Sequence, residues 1–468
     1  MRVVWIMEKG IILKKEGESA VFSEIFFDRM KQMLGEEWDA YQRAMEEPPK
    51  KGVRLNTLKA DKETLQRTLP FPLTESPFSP LSFVAPDDFH PGRHPLHHAG
   101  AFYSQEPSAS SAVTVLDPQP GEKILDLCAA PGGKSTQIAA LLQGKGLLWS
   151  NEVVRSRCQV LLSNMERMGV RNAVISQAPV PLLAEKLSGF FDRVLVDAPC
   201  SGEVMFRKND RALLEWSPEH VTACADRQVQ ILLSAAECVR ENGVLVYSTC
   251  TFSKEENEGA VRRFLQQRPD FVQEDTGVSF GRPDFDTGLG RRMFPMDGGE
   301  GHYVARLRRL SQPAGGPAPF LIRKTKGTER KPGEDFLQET LRAVPKGMTE
   351  RMFMQKEKLL LLPDNLPDLG GIPVLRAGVE VGQVRKGRFL PAHSFYMACR
   401  PQELRRVLAY PWDSPLIPHF LHGEAVPWDQ KGYAAVAIEG VTVGFGKGDG
   451  QMLKNHYPKG LRLPAAVL

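Results

Sequence analysis

Two short stretches could carry nucleophilic chemistry. Asp197-Ala-Pro-Cys-Ser-Gly202 and Ser248-Thr-Cys-Thr-Phe252 each place one cysteine, Cys200 or Cys250, just after an apolar run. A cysteine in such a place can be a small core residue, a metal ligand, half of a disulfide or a nucleophile. The seven cysteines (128, 158, 200, 224, 238, 250 and 399) are odd in number and form no C-x-x-C, which argues against a disulfide framework and a structural zinc site. Cys224 and Cys238 fall in a helical pattern and read as buried small side chains. Behind Cys250, Ser253-Lys-Glu-Glu256 has capping-box spacing and predicts a helix start. The positive end of that helix would favour a thiolate.

A third stretch could hold a cofactor. The run KILDL leads into Cys128-Ala-Ala-Pro-Gly-Gly-Lys-Ser135, followed by a helical pattern closed by Gly144. A glycine turn between strand and helix lets the backbone approach a ligand and aims helix N–H groups at it. A phosphate-binding G-x-x-x-x-G-K-[ST] loop would need glycine where Cys128 stands, and G-x-G-x-x-G is absent. S-adenosylmethionine also suits such a turn. Its ribose diol calls for a carboxylate at the end of the second strand, and Glu152 lies there, 19 residues after Gly133. Asp197 ends the fourth run and is too deep in an apolar strand to be a solvated surface charge.

The elements that must position these residues follow from periodicity. Apolar runs at 123–128, 146–152, 172–177, 192–198 and 244–250 alternate with amphipathic helices, one of them expected to stop at Asn242-Gly243. That alternation predicts an α/β fold with a doubly wound parallel sheet covered on both faces, ligands sitting beyond its carboxyl edge. Expected units are an extension (1–21), a small N-terminal domain (22–100), the α/β core (101–310), a basic Pro/Gly linker (311–334), a small α+β domain (335–409) and a β-rich end (410–468). His94, His97 and His98 have no ligand partners at useful spacing and read as surface loop residues. No apolar run reaches the length of a membrane span and no signal peptide is evident, so a reducing cytoplasm is expected.

DLCAAPGGKST, DAPCSG and STCTF together resemble the RNA 5-methylcytosine methyltransferase family (the NOL1/NOP2/Sun group). Their order, with the C-terminal extension, is most similar to its bacterial ribosomal RNA branch. GVRLNT and FYSQEPSAS upstream extend the likeness over most of the chain. The resemblance implies a Rossmann-like methyltransferase core, S-adenosylmethionine as cofactor, and methylation of cytosine C5 in small-subunit ribosomal RNA. A transfer RNA cytosine is the alternative substrate. A non-catalytic RNA-binding assembly factor is the rival from another class, and a nucleotide hydrolase using Gly133-Lys134-Ser135 a third. By the same resemblance Cys250 adds to C6, Cys200 assists release, Asp197 meets the base edge, and Lys134 orients the turn. Cys128, Ala129, Ala130, Pro131, Gly132, Gly133, Lys134, Glu152, Gln177 and Asp197 would line the cofactor. Gln177 stands where the family often has an acid; its amide can still meet adenine.

With a net charge of only +4, phosphate contacts must be local. Candidates are Arg54 and Asn56, Arg207 and Lys208, the linker, and Lys447, Lys454, Lys459 and Arg462 in an end that resembles a PUA-like module. A monomer with RNA as partner is expected, with no metal.

Overall fold

The computed structural model describes residues 24–208, 210–311, 313, 315–320 and 327–464, with short strands at 7–8, 11–13 and 19–21. Most of the expected extension and the linker cations at 323, 324 and 326 lie outside the described residues.

Five parallel strands form the centre: β1 (Lys123–Asp126), β2 (Leu147–Asn151), β3 (Ala173–Ser176), β4 (Phe191–Asp197) and β5 (Val239–Thr249). Their spatial order is β3-β2-β1-β4-β5, so the winding reverses between β1 and β4. That reversal opens a crevice at the carboxyl edge, where Asp126, Glu152, Gln177, Asp197 and Cys250 all come to lie. Five antiparallel strands extend the sheet to ten, and two of them border the parallel set. β6 (His302–Arg309) pairs with β5, and β7 (Val374–Ala377) pairs with β3 from far along the chain. The sequence showed no sign of β7, since periodicity reports an element and not its partner.

Alternate residues of the buried strands feed two apolar layers. Leu125, Trp149, Val194, Val196 and Leu245 pack with Val229, Leu232 and Ala236 of helix α2 (Pro218–Cys238). Ile124, Leu148, Leu195 and Val246 pack on the other face with Ile138, Ala139 and Leu142 of helix α1 (Gly133–Leu142). Each buried valine, leucine or isoleucine among them contributes about 1.5–3 kcal/mol.

Four local expectations change. α2 ends at Cys238, and Asn242-Gly243 lies instead within β5. The helix after Cys250, α3, spans Glu258–Gln267 rather than starting at Ser253, and no capping box forms. Glu256 is drawn inward by Ser201 N–H and the Gln228 amide, so it cannot reach back to Ser253. The later part of the expected linker belongs to a helix, Gly327–Thr340, docked through Phe336 and Leu337. The histidines are not loop decoration: His94 is buried against Trp412 in a stacked contact, and burial lowers the His97 pKa to about 3.

The N-terminal unit adds a four-stranded sheet that reaches Ser104, and the C-terminal region holds a four-stranded and a five-stranded sheet. Among the described residues no helix is long and apolar enough to cross a membrane.

Candidate active site

The glycine turn leaves β1 and enters α1 directly. Gly132 has φ +111°, and a Cβ there would come within 3.2 Å of Leu161. Only glycine meets both conditions without strain. The turn is clamped from α-helical neighbours, with Arg157 donating to Ala130 O at 2.9 Å and Asn164 to Pro131 O at 2.9 Å. Beneath it Asp126 accepts from Ser135 Oγ at 2.6 Å, while its other oxygen is buried with no hydrogen-bond partner. Burial raises the Asp126 pKa to about 7. Sequence reasoning missed this residue, although it is the acid that opens DLCAAPGGK.

Glu152 ends β2 almost fully buried, accepting from Val154 N–H at 2.9 Å and meeting Arg157 at 3.2 Å. Gln177 lies on the adjacent strand end, its amide 3.4 Å from Val153 O. The two are therefore neighbours on one wall of the crevice.

On the opposite side of the crevice, Lys134 Nζ lies 2.8 Å from Asp197 Oδ2, and Ser248 Oγ donates to Oδ1 at 2.8 Å. Burial alone would raise the Asp197 pKa. The Lys134 ammonium and the two hydrogen bonds outweigh it and hold the carboxyl below its ordinary value. For Lys134 the burial penalty is likewise overcome, chiefly by Asp197, and its pKa is raised. His302, also missed from sequence, sits with Nε2 3.7 Å from Asp197 and neither ring nitrogen hydrogen-bonded. Burial and then the Lys134 charge lower its pKa to about 3, so its imidazole is neutral.

The two cysteines, 50 residues apart in sequence, face each other with Sγ–Sγ 3.3 Å. The contact with Cys250 and then burial push the Cys200 pKa well up, which favours a thiol at Cys200. The residues following the cysteines are also joined: Ser201 Oγ and Thr251 Oγ1 are 2.9 Å apart. Beneath them Glu203 accepts from Thr251 Oγ1 and Phe252 N–H, each at 2.8 Å. Glu256 accepts from Ser201 N–H at 3.0 Å and from Gln228 at 2.7 Å. Asn257 spans Cys250, accepting from Thr249 Oγ1 at 2.6 Å and donating to Thr251 O at 3.0 Å. The Cys250 loop is thus fixed by buried side chains, and the expected support from a helix end at Ser253 is replaced.

Burial raises the Glu256 pKa from 4.5 to about 7. The folded protein therefore retains a proton there that the unfolded chain releases between those pH values. The resulting stabilisation is complete below about pH 4.5 and is lost as pH rises through about 7. Against Glu256→Gln, which mimics the protonated form, wild type is expected to lose about 3 kcal/mol across that window. Urea denaturation of both proteins from pH 4.5 to 8 measures it, and a pH-independent difference would refute the assignment.

Models of related sequences cover four stretches of the chain. Residues 22–107 match the N-terminal domain of 16S rRNA methyltransferase RsmF, and 113–308 match the 16S rRNA methyltransferase RsmB/F domain. Residues 335–399 match the RsmF first C-terminal domain and 408–463 the methyltransferase RsmF PUA domain. Ribosomal RNA small subunit methyltransferase F of Klebsiella pneumoniae is 33% identical, the match covering 94% of this chain and 96% of that protein. The chain belongs to the RsmF family. The RsmF of Aliivibrio salmonicida is 30% identical, with 90% and 93% covered. Among solved structures, a methyltransferase homolog from Pyrococcus horikoshii superposes with TM-score 0.54 at 28% identity, covering 62% of this chain and 96% of that one. NSun6 from the same organism shares the fold, with TM-score 0.54 at 24% identity, covering 62% and 99%.

Three residues expected to touch RNA are instead buried in the fold. Arg54 is buried and donates to Gly133 O at 2.6 Å and Thr136 Oγ1 at 2.7 Å, bracing the turn from the N-terminal unit. Asn56 is buried and donates to Gly100 O and Met168 O at 2.8 and 2.9 Å. Arg207 is buried against Glu300 at 2.7 Å. Each is withdrawn from solvent because an acceptor elsewhere in the fold satisfies it. Lys208, Lys447, Lys454 and Lys459 remain exposed, while Arg462 is half-buried and donates to Tyr457 O.

Proposed function

We propose that this RsmF-family ribosomal RNA methyltransferase transfers a methyl group from S-adenosylmethionine to C5 of a cytosine in small-subunit ribosomal RNA, through a covalent bond between Cys250 Sγ and C6. The reading is carried by the 3.3 Å approach of Cys200 and Cys250 beside the Lys134–Asp197 pair at the edge of the glycine turn.

The residues fit the cofactor. Gly132 and Gly133 keep side chains out of the turn, Glu152 offers a carboxylate for a ribose diol, and the free Asp126 oxygen is an unused acceptor below the turn. When bound, the cofactor supplies an electrophilic methyl group. Cytosine C5 is too weak a nucleophile to take it unaided, so a thiolate must first add at C6 and push electrons toward C5. Cys250 is the group assigned to that addition. Ionised Asp197 accepts from the exocyclic amine of the base, and the Lys134 ammonium offsets negative charge building on the ring. After transfer the C5 proton passes to water as the C6–S bond breaks and its electron pair returns to Cys250 Sγ as a thiolate. Cys200, a thiol aimed at Cys250, hydrogen-bonds the departing sulfur. The target base has to be unstacked to present C6, which favours a flexible or single-stranded site.

Bisulfite sequencing of 16S ribosomal RNA from a strain lacking this gene tests the reading. At least one cytosine protected in wild type is expected to become convertible, and restored protection should follow re-expression. Unchanged ribosomal RNA with newly convertible cytosines in transfer RNA would favour the alternative substrate instead.

A further inference from the structure

We propose that the tips of two neighbouring β-hairpins in the first C-terminal domain form a second RNA contact, one that grips backbone phosphates away from the cysteine site. The inference rests on the RNA substrate of the proposed function but not on its cysteine chemistry.

One hairpin joins Met352–Gln355 to Lys358–Leu361 through Lys356-Glu357, and the other joins Val379–Arg385 to Arg388–Pro391 through Lys386-Gly387. Their tips abut: Val384 N–H donates to Glu357 O at 2.8 Å. A shallow cleft of about 690 Å³ lies there, lined by Glu357, Arg385, Lys386 and Arg388. Lys356, Lys358, Arg385, Lys386 and Arg388 are all exposed around it. Glu357 meets Arg385 at 3.3 Å and Glu380 meets Lys358 at 2.9 Å. Among the described residues, Lys356, Lys386 and Arg388 have no ion-pair partner.

The turn chemistry makes this more than a solvated face. Lys356 has φ +56° and Lys386 φ +49°, left-handed positions at two-residue turns. Glycine or asparagine would fit there with less strain. Arg385 and Arg388 are paired directly across the strands, where like charges oppose each other. Charge on an edge strand guards against edge-to-edge pairing, which accounts for Arg388. It does not account for lysine at two strained turn positions. Local stability is thus traded for positive charge at one place, with no return within the folded chain. A polyanion supplies that return, and RNA phosphate is the one this chain must handle.

The test uses the full-length protein with K356Q, K386N and R388Q combined. Dissociation constants for a 16S ribosomal RNA fragment are measured by filter binding over a salt series, with no methyl donor present. Three lost phosphate contacts are expected to flatten the slope of log affinity against log salt by about 2, at about 0.7–0.9 per contact. At moderate salt the affinity should fall roughly 10-fold or more. The maximal methylation rate at saturating RNA should not change, and the melting temperature should hold or rise, since K386N relieves turn strain. Restoring charge with K356R, K386R and R388K should restore the slope. An unchanged slope overturns the proposal, as does retained RNA affinity with lost binding to a ribosomal protein. If wild type binds RNA with this charge dependence but makes no 5-methylcytosine, the proposed chemistry fails and this surface stands.

Discussion

Replacing Cys250 with alanine is expected to lower the rate of methyl transfer by on the order of 10⁴-fold or more, because no other group in the crevice can activate C5. RNA carrying 5-fluorocytosine at the target should trap the wild-type protein as a covalent complex that survives denaturing electrophoresis, while Cys250→Ala traps none. Cys200→Ala should behave in the opposite way. Its addition step stays intact, but the departing sulfur loses its hydrogen-bond donor, so covalent complex accumulates even with ordinary cytosine and turnover stalls after one round. Trapping by Cys250→Ala equal to wild type would exchange or remove the assigned roles. Free turnover by Cys200→Ala would show that release needs no thiol at that position. The 3.3 Å contact explains why the two variants should differ in kind, since Cys250 is assigned to the ring and Cys200 to the Cys250 sulfur.

The catalytic edge was legible because it depends on short-range pattern. Five apolar runs, each followed by a polar turn, were enough to place Asp197, Cys200, Cys250 and the glycine turn on one side of a parallel sheet. What supports those residues was not legible. Ser253-x-x-Glu256 has the spacing of a capping box, and nothing nearby contradicts it. Glu256 takes instead partners 55 and 28 residues away, Ser201 and Gln228. Arg54 and Arg207 are buried, against expectation, for the same reason. Their residue type suggested solvent, while their acceptors lie 79 and 93 residues further on. His302 carries no motif, and only the pairing of β5 with β6 brings it beside Asp197.

Arg207→Ala is expected to destabilise the protein by about 3 kcal/mol, the lower end for a broken buried pair, because Glu300 keeps Lys208 at 3.3 Å. Its guanidinium donates to Glu300 at 2.7 Å and to Ala44 O and Glu47 O at 2.9 and 3.0 Å, tying the N-terminal helices to the catalytic core. Glu300 also accepts from Lys50 N–H at 2.6 Å, so the loss would be felt on both sides of the junction. Thermal and urea unfolding of the variant measure the effect. RNA affinity of the folded fraction, and its salt slope, should match wild type. A variant as stable as wild type whose salt slope falls by about one would return Arg207 to the list of phosphate contacts.

Strand β7 ties catalysis to the order of synthesis. Val374–Ala377 closes the β3 edge of the sheet, yet it follows Ser176 by nearly 200 residues. A chain emerging from the ribosome therefore exposes the N–H and C=O groups of β3 until most of the C-terminal half has been made. Truncation before Val374 would leave that edge permanently open for pairing with another chain. The first C-terminal domain is thus not a simple appendage, because it also finishes the sheet on which the cysteines stand.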